Sequence, residues 1–383
     1  MRFKFDQIAI NSTAKKKPVP EDAAHYIGLE HLIPGTFDIP EWGSEVAPVG
    51  EKLLMKKGDV LFGRRRAYQR KVGIAPFDGI FSAHGMVLRP RPESVDEKYF
   101  PFFISSDQFM NEAVRISDGS LSPTIYWGTL KNCEFDLPPM DEQKKLAELL
   151  WAANDLKESY KKAITATDEM LKAKFREMFG ECGGQGAEGD RSVSKWPLVR
   201  ISEVVTDVRY GTSKPGDKDG AYTYLRMNNL TDDGGLDLTD LKRITLSGED
   251  FNKCVVRRGD ILFNRTNTKE LVGKTAYYDL DDDMVIAGYI IRVRVDKDKI
   301  DPRYLWKLMN TVELKTKLRH MAKGAIHQAN INAQELQSIE IPLPPLSLQR
   351  EFVAIADKAE LAKANLKKSI ASLDQVMKGL INQ

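Results

Sequence analysis

Two segments of the chain carry apolar residues at a heptad spacing between charged ones, a pattern that predicts helices paired through the apolar positions. We therefore expect one long helix at residues 140–180 and another at 346–383, joined as an antiparallel coiled coil. The predicted seam comprises Leu146, Leu149, Ala153, Leu156, Tyr160, Ala163, Thr167 and Met170 in the first helix, and Phe352, Ile355, Ala359, Ala362, Leu366, Ser369, Leu373, Val376 and Leu380 in the second.

Helix length favours this interpretation over one in which each helix lies along its own domain. A helix of about 35 residues is about 50 Å long, whereas a domain of about 140 residues has a radius of gyration of about 14 Å. Such a helix extends well beyond one domain.

Elsewhere the apolar residues form short runs broken by Gly, Pro and Asp, which predict strands. Helical patches at 99–110 and 304–321 interrupt these runs. We expect two mixed α/β domains, at residues 1–139 and 196–345. The Gly-rich segment 181–195 between the halves predicts a flexible linker.

The same features occur twice, 198 to 206 residues apart, which indicates two copies of one unit and a pseudo-twofold internal repeat. The matched features are Tyr26–Leu32 with Tyr224–Leu230, Gly58–Arg64 with Gly259–Arg265, Val72-Gly73 with Val272-Gly273, Gly85, Arg89 and Arg91 with Gly288, Arg292 and Arg294, and Leu137-Pro138-Pro139 plus Gln143 with Leu343-Pro344-Pro345 plus Gln349.

Composition narrows the class of protein. The chain has 57 Lys and Arg against 55 Asp and Glu, far too balanced for a protein that coats nucleic acid indiscriminately. It has no apolar run long enough for a bilayer, no signal-like start and only three distant cysteines. We expect a soluble, cytoplasmic protein without a membrane partner.

The sequence lacks recognisable catalytic and metal-binding motifs. Neither Leu-Pro-Pro segment has the polar residue and aromatic ring of the similar methyltransferase motif, and no glycine-rich cofactor loop or histidine cluster is present. Asp59 and Asp260 lack a nuclease-like acidic-x-Lys partner at a matching offset, and Gly-Asp before a strand is typical of a turn. We expect no catalytic residue, metal or cofactor in this chain.

Cations cluster locally. Residues 1–139 contain 18 cations and 18 anions, yet five of those cations lie between Arg64 and Lys71. Arg pairs with guanine, Asn and Gln with adenine, and Lys with phosphate, so this loop and its less basic counterpart predict sequence-specific contact with double-stranded DNA. The candidate residues are Arg64, Arg65, Arg66, Tyr68, Arg70 and Lys71 in the first half, and Ser213, Lys214, Arg265, Asn267, Thr268, Lys269 and Lys274 in the second.

Two further segments, 120–126 and 327–332, precede the Leu-Pro-Pro motifs and are secondary candidates, for which a buried or capping turn is an equal alternative. Gln143 and Gln349 are expected to act at the helix starts rather than on DNA. Two similar modules held apart suit a split target with half-sites about 34–36 Å apart. Because the loops differ, the site should be asymmetric.

The duplicated Gly-Asp-Val/Ile-Leu-Phe strands, the Leu-Pro-Pro-x-x-x-Gln entries and the heptad helices resemble the specificity (S) subunit of type I restriction-modification systems. The resemblance implies two target recognition domains, and a coiled coil that sets their spacing and docks two methyltransferase (M) subunits. It also implies a non-catalytic chain. S-adenosylmethionine, ATP and Mg would then act only in partner subunits, including the restriction (R) subunits.

Alternatives from other classes remain at this point. One is the recognition subunit of a type II system with a fused nuclease-methylase. A stand-alone nuclease or methyltransferase conflicts with the missing motifs, and a scaffold unrelated to DNA leaves the repeated basic loops unexplained.

Overall fold

The computed structural model describes residues 1–46, 48–180, 195–325 and 328–382. The chain divides into two compact units, one of residues 1–162 and 366–383 and the other of 163–365. The predicted linker, apart from Lys195, lies outside the described residues, as does His327 of the second secondary segment.

The first unit contains two four-stranded sheets, β2-β9-β6-β7 and β3-β5-β8-β4, and the pair β1-β10. Its strands are β1 (Arg2–Lys4), β2 (Ala9–Ser12), β3 (Lys15–Lys16), β4 (Tyr26–Ile27), β5 (Lys52–Met55), β6 (Val60–Phe62), β7 (Val72–Ile74), β8 (Gly79–Phe81), β9 (Met86–Pro90) and β10 (Glu134–Asp136). Its helices are α1 (Phe5–Ile8), α2 (Phe100–Ser105), α3 (Asp107–Arg115), α4 (Trp127–Leu130) and the start of α5 (Met140–Phe179).

The second unit has the sheets β12-β20-β16-β18 and β14-β13-β19-β15, the pair β11-β23 and a three-stranded sheet β17-β22-β21. Its strands are β11 (Leu198–Arg200), β12 (Val205–Tyr210), β13 (Tyr222–Leu225), β14 (Lys242–Ile244), β15 (Val255–Val256), β16 (Ile261–Asn264), β17 (Thr266–Asn267), β18 (Thr275–Tyr277), β19 (Met284–Ile286), β20 (Ile290–Val295), β21 (Lys323–Ala325), β22 (Gln328–Asn330) and β23 (Glu340–Pro342). Its helices are α6 (Gly248–Cys254), α7 (Pro302–Met309), α8 (Val312–Met321), α9 (Ala333–Gln337) and most of α10 (Leu346–Ile381).

The repeated Gly-Asp motif forms the same turn in both units. Gly58 and Gly259 adopt φ angles of +90° and +99°, which favour glycine. Asp59 accepts a hydrogen bond from the Lys56 N–H and a bidentate pair from Arg89 at 2.7 and 2.8 Å. The corresponding carboxylate, Asp260, does the same with the Arg257 N–H and Arg294. Both aspartates therefore hold the start of a central strand, as the turn interpretation predicts.

A buried glutamine joins each long helix to its domain. Gln143 Oε1 accepts the Asp96 N–H at 2.8 Å, and its Nε2 donates to the carbonyls of Ser94 and Pro138. Gln349 makes the same three bonds, with the Asp301 N–H and the carbonyls of Lys299 and Pro344. We call each arrangement the glutamine clamp. It gives the Leu-Pro-Pro-x-x-x-Gln motif a structural role at the helix start.

The long helices run antiparallel to each other within each unit. In the first unit, Lys157 Nζ lies 3.1 Å from Asp374 Oδ1, and Met377 shares a core with Leu150. In the second unit, Lys363 Nζ lies 2.5 Å from Asp168 Oδ1, and the Phe179 and Phe352 rings are 5.4 Å apart.

The buried stripe of each helix differs from the predicted seam. On α5 it is displaced by one residue, because Ala147, Leu150, Asn154 and Lys157 are buried. Leu149, Leu156, Ala163 and Met170 of the predicted seam are instead exposed, whereas Leu146, Ala153 and Tyr160 lie half-buried beside the stripe.

On α10 one of the two predicted lines is correct. Phe352 and Ala359 are buried, and Leu366, Leu373 and Leu380 are half-buried. The companion line falls one residue later than predicted, at Ala356, Lys363, Ile370 and Met377, which leaves Ile355 half-buried and Ala362 and Val376 exposed.

Leu150→Ala is expected to lower the free energy of unfolding by about 2–5 kcal/mol, because Leu150 is 0% exposed and truncation leaves a cavity. The matched control is its neighbour Leu149, 58% exposed, whose replacement by Ala should change stability by less than about 0.5 kcal/mol. Urea unfolding followed by circular dichroism measures both. Equal losses would contradict the displaced stripe.

Gln143→Leu is expected to lower the unfolding free energy by at least about 2 kcal/mol, since each buried group left unpaired costs about 1–3 kcal/mol. Gln375→Leu, at an exposed position of α10, is the control and should have little effect. The same denaturation assay applies, and a clamp variant as stable as the control would remove the clamp's assigned role.

Candidate nucleic-acid interface

The basic loop of the first unit follows β6 directly and is held in an unusual backbone conformation. Arg66 and Arg70 have φ angles of +56° and +53°, on either side of a short 3₁₀ turn at Ala67–Gln69. Non-glycine residues adopt this region infrequently, so neighbouring contacts must maintain it.

Those contacts come from the secondary segment 120–126. The Arg66 N–H donates to the Pro123 carbonyl at 2.7 Å, and the Ile125 N–H donates to the Arg64 carbonyl at 3.0 Å. The guanidinium groups of Arg65 and Arg66 both donate to Ser122 Oγ. The structure therefore joins the primary and secondary candidate segments of this unit into one surface.

The candidate side chains of this loop divide into two groups. Arg64 donates to the Ala83 carbonyl, Lys71 to the Leu29 carbonyl, and Arg70 pairs with Asp107 at 2.7 Å. These three hold the loop against the rest of the unit. Arg66 and Tyr68 are exposed, and Arg65 is half-buried with its guanidinium on Ser122.

The loop generates a positive local field. Partial burial lowers the pKa of His84, and the nearby charges of Arg65 and Arg64 lower it further. His84 is therefore held more neutral than a free histidine.

The second unit repeats this arrangement in its backbone. The Ile331 N–H donates to the Arg265 carbonyl at 2.9 Å, and β17 pairs with β22, so that Thr266 lies opposite Asn330. The loop after the Gly-Asp strand again lies beside the segment that precedes Leu-Pro-Pro. The guanidinium of Arg265 stacks over the Tyr210 ring at 4.8 Å.

A cleft of about 400 Å³ opens beside this loop and brings Ser213 and Arg265 together. Its other walls include Arg226, Asn228 and the exposed Tyr289, none of which was predicted. Arg226 and Asn228 belong to the repeated segment Tyr224–Leu230, and that repetition was the available signal. Tyr289 follows Gly288 of another matched pair.

Most of the remaining candidate side chains of this unit are buried or already have partners within the protein. Lys274 is only 9% exposed, and its Nζ donates to the carbonyls of Met227 and Leu230, while burial lowers its pKa. We therefore remove Lys274 from the proposed interface. The Asn267 amide bonds to Asn264 and to the Thr268 N–H, and Lys214 pairs with Asp250, whereas Lys269 is exposed.

Lys274→Ala is expected to lower the melting temperature by about 2–12 °C, since it leaves two carbonyls unpaired at a cost of about 1–3 kcal/mol and each kcal/mol shifts the melting temperature of a unit of this size by about 2–4 °C. Lys269→Ala, five residues earlier and exposed, should leave it unchanged. Differential scanning calorimetry compares the two. A stable Lys274 variant with weakened DNA binding would return this residue to the interface.

Within residues 1–46, 48–180, 195–325 and 328–382, no group of three or more His, Cys, Asp or Glu side chains is arranged to hold a metal ion. No helix in the same part of the chain is long and apolar enough to cross a membrane.

The chain matches the family model of the type I restriction modification DNA specificity domain at residues 43–166 and 194–375. It is 29% identical over 191 residues to the MjaX specificity-subunit protein of Methanocaldococcus jannaschii, covering 49% of this chain and 45% of that protein. The StySPI specificity subunit of Salmonella potsdam is 25% identical, covering 86% of this chain and 73% of the relative. The EcoKI specificity subunit of Escherichia coli K12 is 24% identical, covering 81% of this chain and 67% of that subunit.

Two solved structures share the fold. One is a chain from work on complex assembly and conformational transition of the type I R-M system, with a TM-score of 0.60 and 19% identity over 100% of this chain and 96% of that one. The other is the type I restriction-modification S subunit from M. genitalium, with a TM-score of 0.61 and 12% identity over 100% and 94%.

Proposed function

The chain belongs to the family of type I restriction modification DNA specificity domains, and we propose that it is the DNA-recognition subunit of a restriction-modification complex. Each unit reads one half of an asymmetric, two-part DNA sequence. The chain performs no chemistry itself and directs the methyltransferase and endonuclease of partner subunits.

The repeated loop arrangement is the observation that carries this proposal. In both units, the loop after the Gly-Asp strand bonds through its backbone to the segment before Leu-Pro-Pro, which supports a recognition loop at the same place in each. The supporting backbone is repeated, but the side chains are not, since Arg65 and Arg66 correspond to Thr266 and Asn267. Equal scaffolds with different donors suit two half-sites of different sequence.

The long helices supply the proposed spacing element. Their antiparallel contacts in both units support one continuous coiled coil that separates the readers and docks two M subunits, with R subunits joining in the full complex. S-adenosylmethionine, ATP and Mg would be bound by those partners and not by this chain.

Arg65→Ala with Arg66→Ala is expected to relax recognition of one half-site while the other is still read. Each lost base contact costs about 1–3 kcal/mol of discrimination. The measurement is selection and sequencing of duplexes bound by the chain together with its M subunit, followed by mapping of the methylated positions.

Ser213→Ala with Arg265→Ala is the matched variant of the second unit, since both residues line the cleft, and it should relax the other half-site. Equal loss at both half-sites in either variant would refute the assignment of one reader to each unit. Absence of any sequence-dependent binding or methylation by the unmodified complex would refute the proposed function itself.

A further inference from the structure

A cavity of about 540 Å³ lies within the first unit, where α2 and α3 meet the paired segments of α5 and α10. Apolar side chains form much of its wall, among them Phe37, Phe102, Met110 and Met377. Tyr68 and Arg70 of the basic loop also border it. Its volume falls in the range of about 300–1,000 Å³ that is usual for small-molecule sites.

Asn154 places its side-chain amide on the wall of this cavity. The residue is 6% exposed and lines the space, yet its side chain hydrogen-bonds to no other residue in the described part of the chain. Buried polar side chains in native proteins almost always have partners. Because this amide faces the cavity without a protein partner, it can pair with a ligand that offers an adjacent donor and acceptor.

The residue that corresponds to Asn154 in the second unit has a side-chain partner. Glu360 follows Asn154 by 206 residues, the interval that also separates Lys157 from Lys363. In the second unit Glu360 pairs with Lys307, whose counterpart in the first unit is Phe102. The space there, lined by Lys307, is about 170 Å³. Glu360 thus has an ionic partner in Lys307, whereas Phe102 has no polar atom to offer Asn154.

The charges around the larger cavity favour an anion. Lys157 donates to the Gly35 carbonyl and to Asp374, which uses two of its three N–H groups. Arg70 and Lys378 both pair with Asp107, and although burial alone would raise the pKa of this carboxyl, their hydrogen bonds lower it. Three cationic side chains, those of Lys157, Arg70 and Lys378, thus lie beside only two carboxylates, those of Asp374 and Asp107, along the cavity wall.

We propose that this cavity binds a free purine nucleotide. The adenine edge pairs with the Asn154 amide, as Asn pairs with adenine elsewhere, and the ring packs among the apolar side chains. The phosphate lies toward Lys157 and Lys378. Because Tyr68 and Arg70 belong to the basic loop and border the cavity, a bound nucleotide would also hold that loop in place. This last consequence rests on the proposed function, but nucleotide binding does not.

The test is titration of the full chain with adenosine monophosphate in the absence of DNA, by isothermal calorimetry. We expect saturable binding with a Kd below about 1 mM, and weaker binding of ribose 5-phosphate, which lacks the base. Asn154→Leu should weaken the affinity at least tenfold. The isosteric Asn154→Asp, which preserves shape and folding, should also weaken it, because a carboxylate replaces the donor.

Two controls separate this site from others. Glu360→Gln changes the matched position of the second unit and should leave the affinity within twofold. Arg65→Ala with Arg66→Ala should do the same, and loss of binding there would instead assign the nucleotide to the basic loop. No binding at 5 mM nucleotide, or full binding by both Asn154 variants, would overturn the proposal. DNA recognition is measured separately, and neither result of the nucleotide titration contradicts it.

Discussion

A single buried amide joins the start of each long helix to its domain. The glutamine clamp uses both halves of the side chain, with Oε1 on a backbone N–H and Nε2 on two carbonyls, so neither an acid nor an apolar residue reproduces it. An error in the direction of the helix start displaces the helix more with increasing distance from the clamp. Helix α5 has 40 residues and a rise of about 1.5 Å per residue, so a 10° error at its start displaces its far end by about 10 Å.

The features that the two halves share are mainly those that hold the fold. Asp59 and Asp260 each pair with an arginine of the adjacent strand, and these hydrogen bonds raise the pKa of Arg89 and Arg294. The features that differ lie on the loops that this scaffold supports. A duplicated sequence therefore separates structural residues from candidates for recognition without any comparison to other chains.

The sequence predicted the element types and the helix positions well, because long heptad segments and glycine turns are local signals. It did not predict which stripe of α5 is buried. Leu149 and Leu150 are adjacent, so apolar residues satisfy both registers, and the true stripe contains Asn154 and Lys157. Hydropathy alone disfavours a stripe with these polar residues, and only the opposite helix shows why it is tolerated.

The same limit applies to the candidate interface. Local charge identified the loop at Arg65, but burial of Lys274 and the position of Tyr289 depend on strands distant in sequence. A cation count does not distinguish Arg66, on the outer side, from Arg70, which bonds Asp107. Side-chain direction at each position is set by the tertiary fold.

The polar residues within the helix contacts restrict the pairing to one register. Lys157 meets Asp374, and Lys363 meets Asp168. The Lys157 side chain is 6% exposed and that of Lys363 21%, whereas the two carboxylates are about half exposed, so the lysines are the groups that a different register would leave unpaired and poorly hydrated. A slip of one heptad would place Lys157 opposite Ile381 or Lys367, and Lys363 opposite Phe175 or Lys161. Each alternative buries an ammonium against an apolar or like-charged residue. The ion pair in each unit thus favours one register of its helix contacts over a register displaced by a heptad.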